Sequence, residues 1–202
     1  MTYVTNQHVN CMSTSPLGRM VTSIETMATP LRFLILDSPT ESTLGHYLGE
    51  FIQQDVSVVV RCCQPTYNHQ RLLDQDIDVI DLPFKDGGVP SSAIVCEWLN
   101  LVRSKRCTRT TIAVHCVAGL GRAPVLVAIA LIELGMQPLD AVAFIRRKRP
   151  GAFNKTQIAY LDGYKRVLKT KSSHGSSFRS SLGRVFRLGW HPKWRTTTTV
   201  SH

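Results

Sequence analysis

The segments "LRFLILDSP" (31–39), "VSVVVRCC" (56–63) and "TTIAVHC" (110–116) are apolar nearly throughout, and "IDVIDLPF" (77–84) alternates until Pro83 stops it. Short runs of this kind, rich in β-branched residues, predict strands with at least one buried face. Between them the period changes. "TLGHYLGEFIQQD" carries Leu44, Leu48, Phe51 and Ile52 at helical spacing, and "SSAIVCEWLNLVRSK" repeats the pattern. After 116 the spacing predicts an apolar helix over 124–134, another from about Leu139 to Lys148 ending at Arg149-Pro150-Gly151, and a last near Thr156 to Lys169. Strands alternating with helices predict an α/β fold: one compact domain, its central, mostly parallel sheet flanked by helices on both faces.

The flanks lack such a period. Residues 1–29 are rich in Thr, Ser and Met and read as a flexible N-terminal arm, with a weak organellar presequence as the alternative. Residues 30–171 are assigned to the domain, and 172–202, dominated by Ser, Gly and Arg, to a basic, disordered tail. The chain of 202 residues, 43% of them hydrophobic, has enough material for one ordinary core. Charge is distributed unevenly. The formal net charge is +10, yet nine of the 24 basic residues follow Asp162, the last acid, leaving fifteen basic against fourteen acidic side chains before that point. A basic tail suggests weak contact with an anionic membrane surface or a solvated segment; no nucleic-acid partner is expected. The six cysteines show no C-x-x-C pair and no secretory segment opens the chain, which points to a reducing, cytoplasmic setting and against a zinc cluster.

The chemistry concentrates in "HCVAGLGRAPVLVA", where a buried strand runs into a helix. A strand-to-helix loop in a parallel sheet is an anion site, because the backbone N–H groups at the helix start converge there. Val117, Ala118, Gly119, Leu120 and Gly121 would wrap a tetrahedral dianion, the glycines allowing a tight turn. Arg122 adds a planar fork for two phosphate oxygens. A positive field of this kind favours thiolate over thiol at a cysteine, so Cys116 would stand as a nucleophile beneath a bound phosphoryl group. A nucleotide P-loop would need Gly-Lys-Ser/Thr, and a dinucleotide fingerprint a small residue where Pro124 stands. The plain alternative is a buried strand-end cysteine and a surface arginine.

His115-Cys116 with Arg122 six residues on is the pattern of the cysteine-dependent protein tyrosine phosphatases. The longer stretch, with "PTYN", "LPFKDG" and "FIRRKRPGAFN", resembles the phosphatase of regenerating liver family, also called type IVA, from about Arg32 to Tyr164. The resemblance implies the compact phosphatase domain and dual-specificity hydrolysis of phosphoprotein monoesters through a phosphocysteine, with no metal and no cofactor. It implies that Asp86 is the general acid and then the base that activates water, although a turn aspartate is the plainer reading of that residue. Cys63 matches the second cysteine that can pair with the nucleophile, and Cys62 would face the other side of its strand. His115 would orient the loop, and Gln157 would lie near the site unless it is an exposed helix residue.

Three departures from the resemblance matter. Lys85 stands where the family usually has a second acid. Ala123 stands where most phosphatases have Ser or Thr, whose hydroxyl stabilises the departing thiolate, so the intermediate should break down slowly. The chain ends "TVSH" with Cys116 as its last cysteine, so no C-terminal prenylation motif is present. The family also implies an alternative role, a binding module docking on CBS-domain magnesium transporters. A rhodanese-like sulfur carrier would use a cysteine loop without needing Asp86.

Overall fold

A computed structural model describes residues 21–167; residues 1–20 and 168–202, with most of the expected arm and the whole expected tail, lie outside the described residues. Its centre is a five-stranded sheet of order β1-β2-β5-β3-β4. β2 (Arg32–Leu36), β3 (Val56–Arg61), β4 (Asp78–Asp81) and β5 (Thr111–His115) run parallel, as the alternating pattern predicts. The fifth strand is a correction. β1 (Val21–Ile24) pairs antiparallel with β2, inside the segment read as a flexible arm. Only Ile24 of β1 is buried, so an edge strand of this kind leaves no period to detect.

The helices divide between the two faces. α1 (Leu44–Gln53) and the short α2 (Gln70–Leu73), which the sequence pattern does not reveal, close a smaller core of Leu34, Leu36, Leu44, Phe51, Val59 and Leu72. α3 (Ser92–Lys105), α4 (Arg122–Glu133), α5 (Pro138–Lys148) and α6 (Lys155–Asp162) close the larger core on the other face. Every residue of α4 is buried, which is why the stretch between Arg122 and Glu133 at its ends reads as apolar all round rather than as amphipathic. Burying one leucine-sized side chain contributes about 2 kcal/mol, so α4 is the main anchor for whatever its N-terminus carries.

α6 is shorter than expected. It ends at Asp162 with Gly163 at its C-cap, instead of continuing to Lys169. Beyond it, the Tyr164 hydroxyl and the Val167 amide both donate to the buried Glu133 carboxylate at 2.8 Å, a link between elements that a local period cannot foretell.

Candidate active site

Parallel strands place their carboxyl ends together, and β5 delivers Cys116 to that edge between β2 and β3. Residues 116–121 leave the strand as a loop and α4 begins at Arg122. Gly119 is required there on two counts. Its φ is +66°, and an added Cβ would lie 2.5 Å from both Arg149 Nη2 and the Leu36 carbonyl oxygen. Gly121 is less constrained, a Cβ there meeting Gln157 Nε2 at 3.2 Å.

Arg149, at the C-cap of α5, holds the loop from outside. Its guanidinium donates to the carbonyls of Gly119 at 2.6 Å and Ala118 at 3.2 Å, and to Thr22 Oγ1 of the edge strand at 3.0 Å. Phe153, in the left-handed region at φ +65°, donates its amide to the Leu120 carbonyl at 2.8 Å. The carbonyls of residues 118–120 are thus all tied to groups outside the loop. Nothing local marks Arg149 for this task, since an arginine before Pro-Gly reads as a helix end.

Arg122 is buried, and its Nη1 donates to the carbonyls of Cys62 at 3.2 Å and Phe84 at 3.3 Å. These bonds tie the loop arginine to the end of β3 and to the segment after β4. Its Nε lies 3.1 Å from Asp86 Oδ1, in ion-pair contact without hydrogen-bond alignment. Asp86 itself is 81% exposed on the turn that follows β4. Arg122 and Asp86 thus meet from separate segments, with Cys116 at the start of the loop that ends at Arg122.

α6 secures the Asp86 turn. Asn154 and Gln157 form a reciprocal capping box, Asn154 Oδ1 accepting from the Gln157 amide and Gln157 Oε1 accepting from the Asn154 amide. Their remaining donors reach across: Asn154 Nδ2 to the Gly87 carbonyl at 2.8 Å and Gln157 Nε2 to the Gly88 carbonyl at 3.0 Å. Gln157 is fully buried, not an exposed helix residue. The N-x-x-Q spacing before a helix could have revealed the cap, though not the turn it supports.

Behind the loop His115 is fully buried, its Nε2 2.9 Å from the Tyr67 hydroxyl and its Nδ1 4.0 Å from Cys63 Sγ. Burial, reinforced by the Arg61 cation, lowers its pKa to about 3, so the imidazole stays neutral and does not shuttle protons at neutral pH. Arg61 makes a two-pronged ion pair with Asp81 at 2.6 and 2.7 Å and lies over the Tyr67 ring. Tyr67 sits in the "PTYN" stretch and was not singled out by its sequence setting. Cys62 packs in the larger core beside Val58 and Val60, and burial pushes its thiol up. Cys63 turns the other way, towards Ser38 Oγ at 3.9 Å, and burial raises its thiol as well.

Comparison with known proteins adds context. Residues 37–136 match the family described as "Polymorphic toxin system, DSP-PTPase phosphatase". The chain is 51% identical over 144 residues to a probable protein tyrosine phosphatase type IVA A of Dictyostelium discoideum, covering 70% of this chain and 86% of that one. Against human protein tyrosine phosphatase type IVA 3 it is 47% identical over 148 residues, covering 71% and 86%. A solved putative protein tyrosine phosphatase from Leishmania major superimposes with a TM-score of 0.66 at 41% identity, over 72% of this chain and 99% of that one.

Proposed function

The chain belongs to the type IVA family of protein tyrosine phosphatases, and from that membership we propose that Cys116, Arg122 and Asp86 divide the reaction among them. The protein is a cysteine-dependent phosphatase acting on phosphoproteins. Cys116 Sγ attacks phosphorus while the loop amides and Arg122 hold the three equatorial oxygens. Asp86 gives its proton to the departing side-chain oxygen. In the second half Asp86 takes a proton from water, the water oxygen bonds to phosphorus, and the sulfur leaves as thiolate. The observation that carries this assignment is the 3.1 Å approach of Asp86 to Arg122, an acid on its own turn meeting the arginine of the nucleophile's loop.

Ala123 makes the second half slow. It is fully buried in the first turn of α4 and offers a methyl group where a hydroxyl would donate to the departing sulfur. The test is phosphate release and single-turnover kinetics on aryl phosphates of graded leaving group. Cys116→Ser should abolish turnover, and Asp86→Ala should slow phosphoenzyme formation about 10²- to 10⁴-fold on poor leaving groups and little on activated ones. Ala123→Ser should speed decay of the phosphoenzyme. Turnover in Cys116→Ser, or a flat response of Asp86→Ala across leaving groups, overturns the assignment.

Cys63 is read as the resolving thiol. Peroxide would convert the Cys116 thiolate to a sulfenic acid, and the Cys63 thiol would displace water from it to give the disulfide. Its burial beside the His115 ring keeps this thiol at the back of the loop. Peptide mapping after mild peroxide should recover the 63–116 pair; pairing of Cys116 with Cys62 or Cys107 contradicts it.

A second reading is favoured by two apolar side chains on the loop itself. Val117 is 62% exposed and Leu120 39%, more than anion binding by backbone amides requires. They suit a protein surface pressed against the mouth of the site, such as the CBS-domain magnesium transporter implied by family resemblance. In that case the phosphocysteine would block docking as well as store the phosphoryl group.

A further inference from the structure

A cavity of about 480 Å³ lies between α3 and the end of α6 with the segment that follows it. Cys96, Leu99 and Arg103 of α3 face Tyr160, Tyr164 and Val167 across it. The α3 residues recur at three- and four-residue intervals, so they form one stripe along the helix. The opposite wall is held in place independently, because Glu133 accepts from both Tyr164 and Val167. A cavity of this size is in the range that takes a small organic ligand.

Its chemistry is one-sided. Among the described lining residues Arg103 alone carries a charge, and it takes part in none of the ion pairs formed by the described residues. The rest of the wall is apolar, apart from small groups such as Ser92 and Asn100 that bear no charge. Burial raises the Tyr160 phenol, which therefore adds no negative charge at neutral pH. An occupant should therefore combine an extended apolar body with one negative head.

We infer that this cavity binds a single-chain anionic amphiphile, a free fatty acid, with its hydrocarbon along Cys96, Leu99 and Tyr160 and its carboxylate against Arg103. The site does not include the residues assigned to phosphoryl transfer. It does not depend on their roles.

Calorimetric titration of the full chain with laurate and with dodecyltrimethylammonium, both below their micellar concentrations, tests it. These probes share a tail and differ in the sign of the head. Laurate should bind with a stoichiometry of one and more tightly than the cation. Cys96→Trp fills the cavity from an exposed helix position and should abolish binding of both probes. Arg103→Glu should weaken laurate about fivefold or more and remove the preference for it. Phosphatase activity equal to wild type in both variants certifies their fold. No laurate binding, binding that survives Cys96→Trp, or a preference untouched by Arg103→Glu each overturns the inference. Laurate held only by the basic residues beyond Asp162 would give the second of these results.

Discussion

His115 illustrates how one buried residue ties the site to the stability of the whole. Folded, its pKa is lowered to about 3 from an ordinary 6.5, so the native state refuses a proton that the unfolded chain accepts. Stability from this group is complete above about pH 6.5 and falls as pH drops from there towards 3, by up to about 1.4 kcal/mol per pH unit. Asp81, lowered chiefly by its bond to Arg61, acts in the same direction at lower pH, since its contribution is lost as acid protonates it. His115→Gln should retain a partner for the Tyr67 hydroxyl and flatten the pH dependence between about 6.5 and 4. Denaturant unfolding at several pH values measures it; equal slopes in the two proteins would show that some other group carries the dependence. Gly119 and Ala123 occupy the same small region for opposite reasons. Gly119 is dictated by a positive φ and by Arg149 behind it, whereas Ala123 lies in an ordinary helix turn, a backbone that serine also adopts.

Among the elements, α6 shows how a helix terminus can serve a turn distant in sequence. The Asn154 side chain caps the helix through its oxygen and holds the Gly87 carbonyl through its nitrogen. Asn154→Asp separates the two tasks. Asp caps as well as Asn, so thermal stability should change by less than about 1 kcal/mol. The donor to Gly87 is lost, the Asp86 turn is held less firmly, and kcat on poor leaving groups should fall several-fold while activated esters are little affected. A loss of activity equal on both substrate classes would place the defect outside acid catalysis. The cap was foreseeable from Asn154-x-x-Gln157, but its partner lies 67 residues earlier. β1 is the reverse case. Val21–Ile24 buries a single residue and gains its place from pairing with β2 and from the bond between Thr22 and Arg149, neither of which leaves a local mark.

For the whole molecule, charge distribution sets an expectation that the domain alone does not. Nine basic residues follow Asp162, and each that reaches an anionic surface contributes about 1 kcal/mol before ordering costs. Full-length protein should therefore sediment with anionic vesicles at low salt and release as salt rises, and removing 172–202 should abolish this while leaving turnover intact. Full-length protein that ignores such vesicles at low salt would rule the tail out as a membrane contact. Within the domain, the strands β2, β3 and β5 and the apolar middle of α4 were readable because each is buried on both sides, and burial writes itself into composition residue by residue. The nucleophile's loop was readable for a related reason: wrapping a phosphoryl group with backbone amides demands Cys, Gly and Arg at set positions within eight residues. Tertiary structure alone decided how Asp86 comes to lie beside Arg122, what holds the loop from behind, and where α6 stops. Asn154 and Gln157 steady the Asp86 turn, Arg149 ties the loop and Glu133 anchors the segment after α6, each through hydrogen bonds across 30 residues or more, and a contact of that span imposes no period and no spacing on the chain.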